Sequence, residues 1–148
     1  MKRRQKNLKL RVLFNASVVL SGFRTPKGGS GKLLGFIKNR VVEGKISEVI
    51  FDEILKHSEK LSVPVSKSAR LSLELFGNFL PAPSGESVHK YKKVVIDEGD
   101  AHVIASCKEA KIKYLVTLDK KHLLILKSKI RGLKILTPGE LIALIAEK

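Results

Sequence analysis

Apolar positions along this chain fall into two alternating kinds of segment. Short apolar runs occur at residues 10–15 (LRVLFN), Lys113–Leu118 and Leu133–Leu136, each bounded by polar or turn residues. Runs of that length read as buried strands. Two further short strands are expected near Lys45–Ile46 and at Phe79–Leu80. Between them the spacing of apolar residues becomes helical. In Leu33–Val42, Leu34, Ile37 and Val41 share one stripe, with Gly44 as the stop. Ser47 reads as the cap of a helix running to about Leu61, with Val49, Ile50, Ile54 and Leu61 facing inward. A strand extended through Ile50, followed by a later helix start, stays open. Ser66–Phe76 follows the break at Pro64 and ends at Gly77. Ser87–Val95, the face of Ala101, Val103, Ile104, Ala105 and Cys107, the segment Lys120–Leu126 and a last helix opening on Pro138 complete the pattern. Strands separated by helices imply an α/β protein with a mainly parallel sheet.

The stretch DEGDAHVIASCKEAKIKYLVTLD carries the most chemistry. Asp97 and Asp100 stand three residues apart where a helix is predicted to begin, and Asp119 closes a predicted strand. In parallel α/β sheets, ligands gather where strands end and helices begin. Three carboxylates meeting there repel one another unless a proton or cation intervenes. A hard divalent ion such as Mg2+ or Mn2+ suits that oxygen-rich setting. Taken singly, Asp97 and Asp100 also suit helix capping, and Asp119 a loop.

Charge adds a partner class. With 148 residues, 29 Lys and Arg against 14 Asp and Glu, and a net charge of +15, the chain favours polyanions. Nucleic acid is the first candidate and an anionic membrane the second; a lysine-rich thermophile surface accounts for the same excess. No apolar run is long enough to span a bilayer. The basic-then-apolar start imitates a signal peptide, but Asn15 and Ser17 interrupt it and the stretch makes a better first strand. The lone Cys107 has no internal disulfide partner, which fits a packed core and a reducing cytoplasm.

Other motifs weigh less. The glycine-rich loop RTPKGGSGK at 24–32 suggests a phosphate-binding P-loop, but Pro26 stands where that motif needs glycine and Leu33 where it needs Ser or Thr. A mobile basic loop near a site mouth is the better reading. His102, two residues after Asp100, should turn away from it and be structural or exposed. His122 follows Asp119 by three residues and suits a metal site, a phosphate contact or plain surface. No Cys/His set has zinc spacing, no serine sits in a nucleophile elbow, and no aromatic stacking motif stands out.

Four segments in order, with a matching tail, resemble the PIN-domain family of small metal-dependent nucleases, which includes VapC-type toxins. RVLFNASVVLSG resembles the family's opening strand, SEVIFDEIL the helix supplying a glutamate, DEGDAHVIAS the acidic helix start, and YLVTLDKKHLL the closing strand; GLKILTPGEL matches the tail. The resemblance covers nearly the whole chain. It implies a three-layer α/β/α fold over residues 10–148, behind a basic tail at 1–9.

It also implies a site. Glu53, Asp97, Asp100 and Asp119 become catalytic, with Asp100, Asp119, Glu53 and Asn15 as ligands of Mg2+ or Mn2+, and Thr117 and Ser17 in support. Lys27, Lys32, Lys120, Lys121 and His122 become RNA contacts. The expected reaction is hydrolysis of an RNA phosphodiester by a water that the cation activates, with Asp97 holding a water or a second ion. A homodimer and an antitoxin peptide are the partners the resemblance suggests. One position departs from the family: its first aspartate falls on Asn15, which is neutral. That leaves three readings: a site working with a neutral ligand, a nuclease-dead relative that binds RNA, or an Asp→Asn exchange introduced into the chain.

Overall fold

A computed structural model describes residues 9–147. The expected basic tail therefore lies, up to residue 8, outside the described residues. Four strands, β1 (Arg11–Phe14), β2 (Glu43–Lys45), β3 (Tyr114–Val116) and β4 (Lys134–Leu136), form one parallel sheet in the order β2-β1-β3-β4. Val12, Leu13 and Phe14 of β1 are completely buried. That suits a central strand covered on both faces, as parallel sheets require. An isolated bridge between Ser47 and Leu80 stands where the Phe79–Leu80 strand was expected.

Seven α-helices flank the sheet among the described residues: α1 (Ala16–Arg24), α2 (Gly29–Lys38), α3 (Glu48–His57), α4 (Val65–Phe76), α5 (Gly85–Lys92), α6 (Ala101–Glu109) and α7 (Pro138–Ala146). Helix α1 packs on α2 and α3, α2 on α4 and α7, and α5 on α6, giving the three-layer α/β/α arrangement. Helix α6 sits deepest: residues 101 through 107 are all buried. Burial there pushes the Cys107 thiol up to about 12, so this cysteine is a core residue and not a nucleophile.

Caps explain most helix starts. Ser47 Oγ accepts from the amide of Ile50 at 3.1 Å, which resolves the start of α3 in favour of the Ser47 cap. Thr137 and Glu140 form a reciprocal capping box around Pro138. At the end of α4, Gly77 adopts φ +60, the left-handed stop that glycine permits.

Three expectations change. Residues 16–24, given no element by the apolar pattern, form α1, because Asn15 caps them directly off β1. The glycine-rich stretch is mostly helical: α2 begins at Gly29, leaving only a short turn after Thr25. Helix α2 ends at Lys38, short of Val42; Arg40 at φ 61 makes the reversal, and Val41 is 44% exposed. Gly44 lies within β2, where a Cβ would come 2.6 Å from Ile37 Cδ1. It marks close helix-to-sheet packing, not a helix stop.

Candidate metal centre

The site begins with a hydrogen-bonded seam joining the C-terminal ends of β1 and β3. The amide of Asn15 donates to the carbonyl of Val116 at 3.0 Å, continuing the parallel pairing past both strands. Asn15 Oδ1 accepts from Ser17 Oγ at 2.8 Å and from Thr117 Oγ1 at 3.2 Å, and more distantly from the amide of Ser17. Ser17 Oγ accepts in turn from the amide of Leu118, and Thr117 Oγ1 from the amide of Asp119. Asn15 and Thr117 are buried, so these bonds form in a low-dielectric setting where each is stronger. The seam fixes where Asp119 leaves the sheet. Thr117 and Ser17 thus hold the backbone of the site in shape. Asn15, expected as a neutral ligand, has its one acceptor oxygen engaged by Ser17 and Thr117; its amide nitrogen carries only N–H donors.

Asp119 shapes the next turn. Its Oδ1 accepts from the amides of Lys121 and His122, and its Oδ2 lies 3.3 Å from His122 Nδ1. From the opposite side, Asp97 accepts from the amide of Gly99 and opens a 3-10 turn, Glu98–Asp100, that runs into α6. Asp100 ends that turn half-buried. Carboxylate oxygens of Asp97 and Asp100 and a ring nitrogen of His122 all lie within 4.8 Å of one another.

Asp100 records the crowding. Its pKa is raised to about 6, first by burial and then by the charges of Asp119 and Asp97, with Glu53 adding to the rise and His122 opposing it. A carboxylate destabilised by three neighbours of its own sign sits in a place suited to a cation. Two carboxylates and an imidazole within reach of one point make a donor set that fits a divalent metal ion.

Glu53 enters from α3, beside the cluster. Its Oε2 is 2.9 Å from His102 Nε2, and His102 is only 8% exposed. His102 was expected to turn from Asp100 and be structural or exposed; it is buried at the edge of the site, against the glutamate. No local spacing signals this pair, since the partners are 49 residues apart in sequence. Signal did exist for His122, in the i, i+3 spacing from Asp119. Lys120 and Lys121 flank the site and are exposed. Lys27 is exposed in the turn between α1 and α2, and Lys32 is exposed in the first turn of α2, whose start at Gly29 lies against Pro138. Lys32 Nζ rests 5.9 Å from the Phe36 ring centroid.

Parallel strands delivering acidic residues to one sheet edge, beside a buried acidic helix start, define an α/β protein with a candidate cation centre. Residues 11–121 match the sequence model of the PIN domain, and the chain belongs to the PIN-domain family. Proteins of this family are generally metal-dependent nucleases. No curated relative matches the sequence. Among solved structures, PAE2754 from Pyrobaculum aerophilum superposes with a TM-score of 0.61 at 18% identity, over 94% of this chain and 91% of that one. At that identity the likeness speaks for the fold.

Proposed function

We propose that this chain is a metal-dependent endoribonuclease. The observation that carries the reading is the crowding around Asp100: burial and three neighbouring carboxylates raise its pKa to about 6, while Asp97 and His122 offer donor atoms beside it. Asp100 and Asp97 would hold the ion, with Asp119 beside it and Glu53 completing the negative field. A divalent cation bound there supplies Lewis acidity, which activates water and neutralises charge developing on a phosphoryl group. The chain's own residues do the rest. Asn15, Ser17 and Thr117 fix the strand ends, Asp119 orders the turn that carries Lys121 and His122, and His102 holds Glu53. Exposed Lys120 and Lys121, within a net charge of +15, supply backbone attraction to RNA beside the acidic pocket. A VapC-type toxin role, with a homodimer and an antitoxin peptide as partners, is the finer form of the proposal.

One observation favours a second reading, an impaired relative that binds RNA without cutting it. Asn15 brings no charge, and its acceptor oxygen is engaged by Ser17 and Thr117. An Asp at this position keeps those bonds and turns a second, charged oxygen outward. The test is cleavage of a mixed RNA substrate with Mn2+ or Mg2+ by the wild type, Asn15→Asp and Asp100→Ala. Cleavage by the wild type that Asp100→Ala abolishes supports the nuclease. Cleavage only after Asn15→Asp, or none alongside salt-sensitive RNA binding, supports the binding module.

A further inference from the structure

The family-type expectation is a cation held by oxygen alone. The geometry points to a different centre in this chain: His122 supplies a nitrogen donor in place of the charge missing at Asn15, so that the site takes a divalent transition-metal ion in preference to Mg2+. This rests on the metal-dependent reading above.

Four observations carry it. A ring nitrogen of His122 lies within 4.8 Å of carboxylate oxygens of both Asp97 and Asp100. His122 Nδ1 lies 3.3 Å from Asp119 Oδ2, which ties the ring to the turn at the site. A carboxylate against one ring nitrogen fixes the tautomer and orientation of a metal-binding imidazole. The backbone is fixed as well, because the amide of His122 donates to Asp119 Oδ1 at 2.9 Å. Third, the other residues expected to bind metal have their oxygens engaged: Asn15 Oδ1 by Ser17 and Thr117, one Glu53 oxygen by His102, and both Asp119 oxygens by its own turn. Fourth, the His122 side chain is 38% exposed, open enough to meet an ion entering from solvent.

The selectivity follows from donor chemistry. Mg2+ demands oxygen ligands and near-ideal octahedral geometry, and it gives up water reluctantly. Imidazole suits Fe2+, Ni2+, Cu2+ and Zn2+, and the affinity of a mixed nitrogen and oxygen site rises along the first-row series that Mn2+ opens. Replacing a carboxylate at Asn15 by an imidazole at His122 therefore weakens Mg2+ binding more than Mn2+ binding. Asp119 then acts chiefly through the ring it orients.

The test uses the full chain and Mn2+ or Mg2+ alone as probe, without RNA. Calorimetric titration gives each affinity, and electron spin-echo spectroscopy of bound Mn2+ reports whether an imidazole nitrogen is coordinated. We expect a nitrogen coupling in the wild type that is absent in His122→Ala and retained in His102→Gln. We also expect His122→Ala to weaken Mn2+ binding by at least about tenfold, as losses around a metal ligand do, with a smaller change for Mg2+. Bound Mn2+ without nitrogen coupling, or a coupling that survives His122→Ala, overturns the inference while leaving a metal site standing. Failure of both ions to bind overturns the inference and the metal-dependent reading together.

Discussion

Asp100 and His102 are two positions apart and behave in opposite ways. Asp100 has a pKa raised to about 6 from an ordinary 3.8, so it holds its proton more tightly in the folded chain than in the unfolded one. Stability from this group is therefore greatest below the unfolded value, falls as the pH rises from about 4 through about 6, and levels off above that. With chelator present, Asp100→Asn should flatten that decline. It should also stabilise the chain near pH 7 by about 1–2 kcal/mol, a figure kept low because the carboxyl is partly solvated. Urea titrations at several pH values check both. His102 stabilises the fold instead, through its contact with Glu53. Its Nε2 meets a carboxylate at 2.9 Å in a buried setting, so His102→Ala should cost about 1–3 kcal/mol and leave Glu53 free to swing. His102→Gln should recover part of that loss in the same titration.

At the scale of elements, the packing of α2 on the sheet gives a paired test. Gly44 in β2 has no room for a Cβ, which would lie 2.6 Å from Ile37 Cδ1. Gly44→Ala should destabilise by about 1–3 kcal/mol through overpacking. Gly35, inside α2, has nothing within 4 Å of where its Cβ would lie. Gly35→Ala should stabilise by about 0.5–1 kcal/mol, because alanine suits a helix interior better than glycine. Thermal melts of the two variants shifting in the same direction would contradict this packing. The element pattern was legible because β1, β3 and β4 lie in short apolar runs, while β2, Glu-Gly-Lys, does not, and because most helices announce themselves by a cap, as at Ser47 and Thr137, or by a stop, as at Gly77. It misled where a residue had two possible roles. Gly44 looked like a helix stop and is a packing glycine. Val41 fits the stripe of α2 but lies past Arg40, where the helix has already ended. The glycine-rich stretch hid a helix start because Gly29 and Gly31 lower helix propensity, while contact with α1 and α7 holds the helix regardless.

For the molecule as a whole, the proposed function rests on a small acidic cluster within a strongly basic chain. Three of the four carboxylates, Asp97, Asp100 and Asp119, belong to one stretch of sequence, and Glu53 comes from a separate helix. Asp97, Asp100 and Asp119 were readable as candidates because each marks the edge of an element. Glu53 rested on the resemblance alone, and its link to His102 is a contact between helices that no periodicity encodes. Among the described residues no helix is long and apolar enough to cross a membrane. The net charge of +15 in a PIN-domain chain makes nucleic acid the polyanion to test. If RNA binding neutralises about six phosphates, affinity should fall roughly a thousandfold between about 50 and about 200 mM salt. Filter binding with an uncleaved RNA measures the slope. A flat salt response would remove the polyanion from the account.

The most direct measurement is an anomalous difference map from crystals soaked in Mn2+. A peak within coordination distance of Asp97, Asp100 and His122, with Asp119 beside it, is the outcome the cation centre requires. Well-ordered carboxylates at that edge with no manganese among them would contradict it.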